Sequence, residues 1–88
     1  MIAAICAAPT VLAAHDIAAG SEVTSYPAMR DKLVAGGYKY VDSQDVVRSG
    51  NILTSRGPGT AFAFALEIVK VLCGDGVADT LKGEMLLK

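Results

Sequence analysis

A thiol stands where an apolar, strand-like run meets the start of a helix. Met1-Ile2-Ala3-Ala4-Ile5 leads into Cys6, and Ala7-Ala8-Pro9-Thr10 follows. A short, wholly apolar run suits a buried parallel strand, and Pro9 suits the first turn of the helix behind it. A side chain on such a turn is pushed out at the carboxyl end of the sheet. There it meets unpaired backbone N–H groups and the partial positive charge of the helix start. That setting favours a thiolate, so Cys6 is a candidate nucleophile that also oxidises readily. The backbone N–H of Ala7, the residue after it, would point where an oxyanion forms, as in other nucleophile elbows. The bland alternative is a small buried hydrophobe, since free cysteine is among the most often buried residue types.

Few other side chains offer chemistry. His15 is the one histidine, and helical spacing sets it nine residues beyond Cys6, about 13 Å along the axis. Proton transfer needs ~3 Å or one bridging water, so His15 reads as a packing or capping group. Arg56 precedes Gly57-Pro58-Gly59 at the end of a strand-like run, where α/β sheets place ligand sites. It can orient a carboxylate or carbonyl oxygen, or else bond backbone carbonyls in a tight structural turn. The glycines there lack the Gly-Lys-Ser/Thr ending of a phosphate loop. Cys73, at the end of an apolar helix pattern, reads as buried packing. The two cysteines fit no zinc spacing, and unpaired thiols favour a reducing, cytoplasmic setting.

The elements that must position these groups alternate strand and helix. After the elbow, Thr10–Ala19 reads as a helix stopped by Gly20, and Val23-Thr24-Ser25 as a short β run. A helix is expected from Pro27 to Ala35, with Met29, Leu33 and Val34 inward, ended by Gly36-Gly37. Tyr38–Val41 reads as a strand. Val46-Val47-Arg48 and Ile52-Leu53-Thr54 flank Ser49-Gly50-Asn51, good hairpin chemistry. Thr60 is a plausible N-cap for a helix running to Cys73. Phe62, Ala65, Leu66, Val69, Leu72 and Cys73 form one apolar face of it, and Phe64, Ile68 and Val71 a second. A helix apolar almost all round must be covered on more than one side. Asp75–Leu81 reads as a last short helix and Met85-Leu86-Leu87 as a terminal strand or arm. The pattern predicts an α/β chain with a mostly parallel sheet, with too few strands to cover both helix layers.

Ala3-Ala4-Ile5-Cys6-Ala7-Ala8-Pro9-Thr10 resembles the nucleophile elbow of the ThiJ/PfpI superfamily. Ile52-Leu53-Thr54-Ser55-Arg56-Gly57-Pro58-Gly59-Thr60, followed by Phe62 and Phe64-Ala65-Leu66, resembles its branch of parkinsonism-associated deglycases. Leu86-Leu87-Lys88 is similar to that branch's end. The resemblance implies a flavodoxin-like three-layer α/β sandwich, of which residues 1–88 are the carboxyl-terminal half of a single domain. It implies glyoxalase or deglycase activity on methylglyoxal, glyoxal or their early protein adducts, with Cys6 as nucleophile and no cofactor or metal. Tyr26, Arg56 and Pro58 would border the substrate pocket, and Tyr26 stands where members often carry a histidine. The family's glutamate and a Gly-Gly turn that complete the site belong to the amino-terminal half. The implied partners are therefore a complementary amino-terminal segment or chain and a second copy in a homodimer. A redox-sensing chaperone acting through oxidation of Cys6 is the second function the resemblance allows, in the cytoplasm, with nucleus and mitochondrion as further sites.

Composition sets outer bounds. The 88 residues are 52% hydrophobic, well suited to a core, yet a domain of this size buries only ~60–65% of its unfolded surface. The apolar excess suggests that much of the surface meets another chain or segment. A net charge of −1 offers no basic patch for nucleic acid or a membrane surface. Met1–Ala14 is apolar but lacks the leading Lys or Arg of a signal peptide, and Asp16 ends it short of a ~20-residue span.

Overall fold

The computed structural model describes residues 1–87. Strand β1 (Ile2–Ile5) leads through a turn into helix α1 (Thr10–Ala14). Strand β2 (Glu22–Val23) is followed by a single 3₁₀ turn, Pro27–Met29, and helix α2 (Arg30–Ala35). Strand β3 (Lys39–Tyr40) precedes the hairpin of β4 (Val46–Ser49) and β5 (Ile52–Ser55). A second 3₁₀ turn, Pro58–Thr60, opens helix α3 (Ala61–Cys73), and helix α4 (Asp75–Glu84) follows. Among the described residues no helix is long and apolar enough to cross a membrane.

The main sheet has the order β1–β5–β4, while β2 and β3 pair separately. β1 lies parallel to β5, with Ile2 opposite Ile52 and Ile5 opposite Ser55, and β2 lies parallel to β3. β4 and β5 are antiparallel, Ser49 opposite Ile52, joined through Gly50 at φ 58°, a conformation open to glycine. The mostly parallel α/β plan matches the expectation. Side chains tie the two sheets together: the Thr54 hydroxyl accepts the Thr24 N–H at 2.9 Å, and the Ser49 hydroxyl accepts the Glu22 N–H at 3.2 Å. β5, flanked on both edges, is buried at every position. β1 is a sheet edge, and Met1 and Ile2 are exposed.

The helix ends are where the expected boundaries shift. α1 stops at Ala14 rather than Ala19, because Asp16 takes a left-handed φ of 50°. The Ile17 N–H then reaches back to the Leu12 carbonyl at 2.9 Å and the Asp16 N–H to Ala13 at 3.4 Å, the paired bonds of a Schellman cap. α4 ends the same way: Leu86 has φ 58°, and the Leu87 N–H bonds the Lys82 carbonyl at 3.1 Å. Met85-Leu86-Leu87 is thus a helix cap, not a strand or arm; Lys88 lies outside the described residues. α2 uses Gly37 at φ 91°, as the Gly36-Gly37 pair predicts. Thr60 precedes α3 but makes no side-chain cap; its hydroxyl accepts the Gly57 N–H at 3.1 Å instead.

One core cluster is Leu12, Val23, Leu33, Tyr38 and Ile52, with Ala13, Ile17 and Tyr40 packed against it; Val47, Leu53 and Ala78 are buried as well. Val34, expected inward, is 48% exposed, because α2 offers only Leu33 fully to this core. Against the described residues, no residue of α3 is buried. Phe62 and Leu72 are 60% and 66% exposed. Cys73 is exposed as well, a correction to its expected burial: its helix has α4 beside it but no layer above it.

Tyr38 anchors the core's polar edge by donating its hydroxyl proton to the Ile17 carbonyl. Burial, then the nearby Asp16 carboxylate, holds its pKa above the usual 10.0. A raised phenol gives stability that is complete below the unfolded value and lost as pH climbs through the folded one. The contribution of Tyr38 should therefore fall from about pH 10 upward, and Tyr38→Phe should make the alkaline slope less negative while costing about 1 kcal/mol at neutral pH. Thermal melts between pH 8 and 11 test this; an unchanged alkaline slope in the variant would refute it.

Candidate active site

Cys6 sits at the carboxyl end of β1 with φ 63°. The left-handed region costs a residue with a Cβ on the order of 1 kcal/mol or more, so something must hold it there. Two backbone bonds do: the Cys6 N–H donates to the Ser55 carbonyl at 3.0 Å, and the Cys6 carbonyl accepts the Tyr26 N–H at 2.8 Å. Behind Cys6 the chain winds in i→i−3 bonds, with Ala8 N–H on Ile5 at 3.1 Å and Thr10 N–H on Ala7 at 3.1 Å. The Thr10 hydroxyl also donates to the Ala7 carbonyl, at 2.7 Å. In that winding residue 9 would supply an N–H to the Cys6 carbonyl. Proline has none, which leaves this carbonyl for Tyr26. Pro9 therefore stands just before α1, as its N-cap, rather than within its first turn.

The thiol is half-buried, and Ala7 and Ala8 are exposed, so hydrocarbon does not wall off the elbow. Among the described residues no acceptor takes the Ala7 N–H. Tyr26 lies one backbone bond from Cys6 and is 47% exposed; a Cβ built on Gly57 would lie 3.7 Å from its ring. Cys6, Tyr26 and the Ser55–Gly57 segment thus converge at the carboxyl ends of β1 and β5. Pro58 is exposed in the turn beyond. Arg56 turns its guanidinium to backbone: Nη1 donates to the Asp42 carbonyl at 3.0 Å and Nε to the Ser25 carbonyl at 3.4 Å. This is the carbonyl-bonding alternative left open for it. His15 is exposed at the end of α1, where the chain has already left the helix axis.

Residues not singled out from the sequence hold this convergence together. Ser55 donates to the Asp45 carbonyl at 2.7 Å and lies 2.6 Å from the Thr60 hydroxyl, which ties the strand end to the Arg56–Gly59 turn. Tyr40 places its hydroxyl 3.1 Å from the Ser25 carbonyl and 3.2 Å from the Ser25 hydroxyl. Its burial pushes the phenol upward, but the Ser25 hydrogen bond and the Arg56 guanidinium outweigh this and leave it below the usual 10.0. The signal available was the spacing of Tyr38 and Tyr40 on either side of Lys39, at the start of β3. A tyrosine facing inward needs a partner for its hydroxyl, though spacing does not say which.

This elbow and its supporting turn match the DJ-1/PfpI family over residues 1–71. The chain belongs to that family. Among DJ-1/PfpI relatives, the protein dj-1beta of Drosophila melanogaster is 56% identical over 84 residues, covering 94% of this chain and 44% of the relative. Glutathione-independent glyoxalase DJR-1.2 of Caenorhabditis elegans is 52% identical over 81 residues, covering 92% of this chain and 42% of the relative. The crystal structure of Drosophila melanogaster DJ-1beta matches with a TM-score of 0.96 at 51% identity, over 100% of this chain and 47% of that one. The chain therefore spans about half the length of the DJ-1/PfpI relatives it matches.

Proposed function

We propose that this chain carries the nucleophile of a cofactor-free glyoxalase or deglycase, completed by an amino-terminal half. The observation that carries this is Cys6 at φ 63°, half-buried, with the Ala7 N–H beside it. The Cys6 thiolate adds to the aldehyde carbon of methylglyoxal. A C–S bond forms, the carbonyl pair moves onto oxygen, and the Ala7 N–H holds that oxygen. A glutamate from the amino-terminal half moves the proton from the aldehyde carbon to the neighbouring one. This oxidises the first carbon as it reduces the second, so no external oxidant is needed. Water then cleaves the thioester to lactate and frees the thiol. Early glycation adducts on proteins would enter at the same carbon. Tyr26, Arg56 and Pro58 would rim the substrate pocket of the completed protein, with the Tyr26 hydroxyl able to donate a hydrogen bond.

The glyoxalase name of the worm relative, 52% identical, supports this chemistry. The partners proposed are the amino-terminal half and a second copy of the completed protein, for which the uncovered faces of α3 are available. The test is lactate formation from methylglyoxal by the complete protein without glutathione or added metal. Protection of a client protein that depends on peroxide, without any lactate, would instead assign Cys6 to redox sensing.

A further inference from the structure

We infer that Tyr40 is a positioning residue for the Cys6 elbow, acting through the peptide that joins Ser25 to Tyr26. This rests on the assignment of Cys6 as the reactive thiol. The Ser25 carbonyl and the Tyr26 N–H are opposite ends of one planar unit. At the oxygen end, the Tyr40 hydroxyl donates at 3.1 Å and Arg56 Nε at 3.4 Å. At the nitrogen end, the N–H donates to the Cys6 carbonyl at 2.8 Å. Because the unit is rigid, fixing its oxygen aims its N–H, and donors on the oxygen strengthen the bond the N–H makes. The Ser25 hydroxyl, 2.9 Å from the Tyr26 carbonyl, steadies the next peptide.

Tyr40 is itself held firmly. It pairs with Val23 across β2–β3, and the Arg30 guanidinium lies over its ring, 5.9 Å from the centroid. Ser25 is fully buried, so water does not readily replace the phenol. The Cys6 carbonyl has no local donor, because Pro9 cannot serve it. A left-handed cysteine thus depends on a bond whose aim is set by a tyrosine 34 residues away in the chain.

The experiment is Tyr40→Phe in the complete protein, which keeps the ring, its strand pairing and the Arg30 contact, and removes only the hydroxyl. Alkylation of Cys6 by iodoacetamide at fixed pH should slow about three- to ten-fold, the scale of one hydrogen bond, with the melting temperature lowered by only a few degrees. kcat for methylglyoxal should fall by a similar factor with KM steady, a split that general loosening of the fold would not produce. Wild-type alkylation in folded Tyr40→Phe would overturn the proposal. Should that variant not fold, hydrogen exchange of the Tyr26 amide in the wild-type protein gives a second reading: strong protection is expected of an N–H held on the Cys6 carbonyl, and exchange as fast as that of an exposed amide overturns the proposal. Slowed alkylation in a protein that makes no lactate would uphold the positioning role and remove the proposed activity. Unchanged alkylation in an active protein would do the reverse.

Discussion

Cys6→Ser in the complete protein is expected to lower lactate formation from methylglyoxal on the order of 10³-fold or more, with the fold intact. Serine keeps the shape and the backbone bonds of the elbow but is a far weaker nucleophile without an adjacent base. Cys6→Gly should be equally inactive and should differ in a second, diagnostic way. The cysteine sits at φ 63°, which costs roughly 1 kcal/mol or more for a residue with a Cβ. Glycine adopts that φ freely, while losing a half-buried side chain and roughly 0.5–1 kcal/mol to the greater freedom of its unfolded state. These contributions nearly cancel, so the variant should melt within a few degrees of the parent or above it. A loss of stability beyond about 2 kcal/mol would mean the elbow is not strained. Turnover retained by serine would remove Cys6 from the chemistry.

The 88 residues alone should turn over methylglyoxal at least about 100-fold more slowly than the protein completed by its amino-terminal half, because general acid–base help is worth about 10²–10⁴. No carboxylate of this chain is assigned that role: Glu22 lies on β2, Glu67 on α3 and Glu84 at the end of α4. The same experiment reads on packing. β1 is a sheet edge with Met1 and Ile2 exposed, and α3 has Phe62 and Leu72 open. Apolar surface of this kind drives association. The isolated chain should therefore bind hydrophobic dyes and self-associate, and adding the amino-terminal half should suppress both as activity returns. The mass and stoichiometry of the native particle give the composition directly. Full turnover by the purified 88 residues would contradict this account of the site.

Much of the architecture is written locally. The run Ile2–Ile5 marks β1 because it is apolar throughout, and Ser49-Gly50-Asn51 marks the hairpin because glycine supplies the positive φ its turn requires. Gly36-Gly37 ends α2 for the same reason. The ends of α1 and α4 were not legible, since aspartate favours the left-handed conformation of Asp16 only modestly and leucine does not favour that of Leu86. Their caps form because Ile17 and Leu87 find carbonyls one turn back. The α3 pattern correctly signals a helix, but burial belongs to neighbours, and among the described residues α4 and the sheet leave every α3 position at least partly open.

For the candidate site, the thiol, its place between strand and helix, and a proline that cannot serve the Cys6 carbonyl are all readable along the chain. Residue type and adjacency suffice for those. The sign of φ at Cys6, the use of Arg56 on backbone carbonyls and the Tyr40–Ser25–Tyr26 connection come from packing. Each depends on partners that chain distance separates and packing brings within about 3 Å, and no local preference encodes which distant carbonyl a donor will meet.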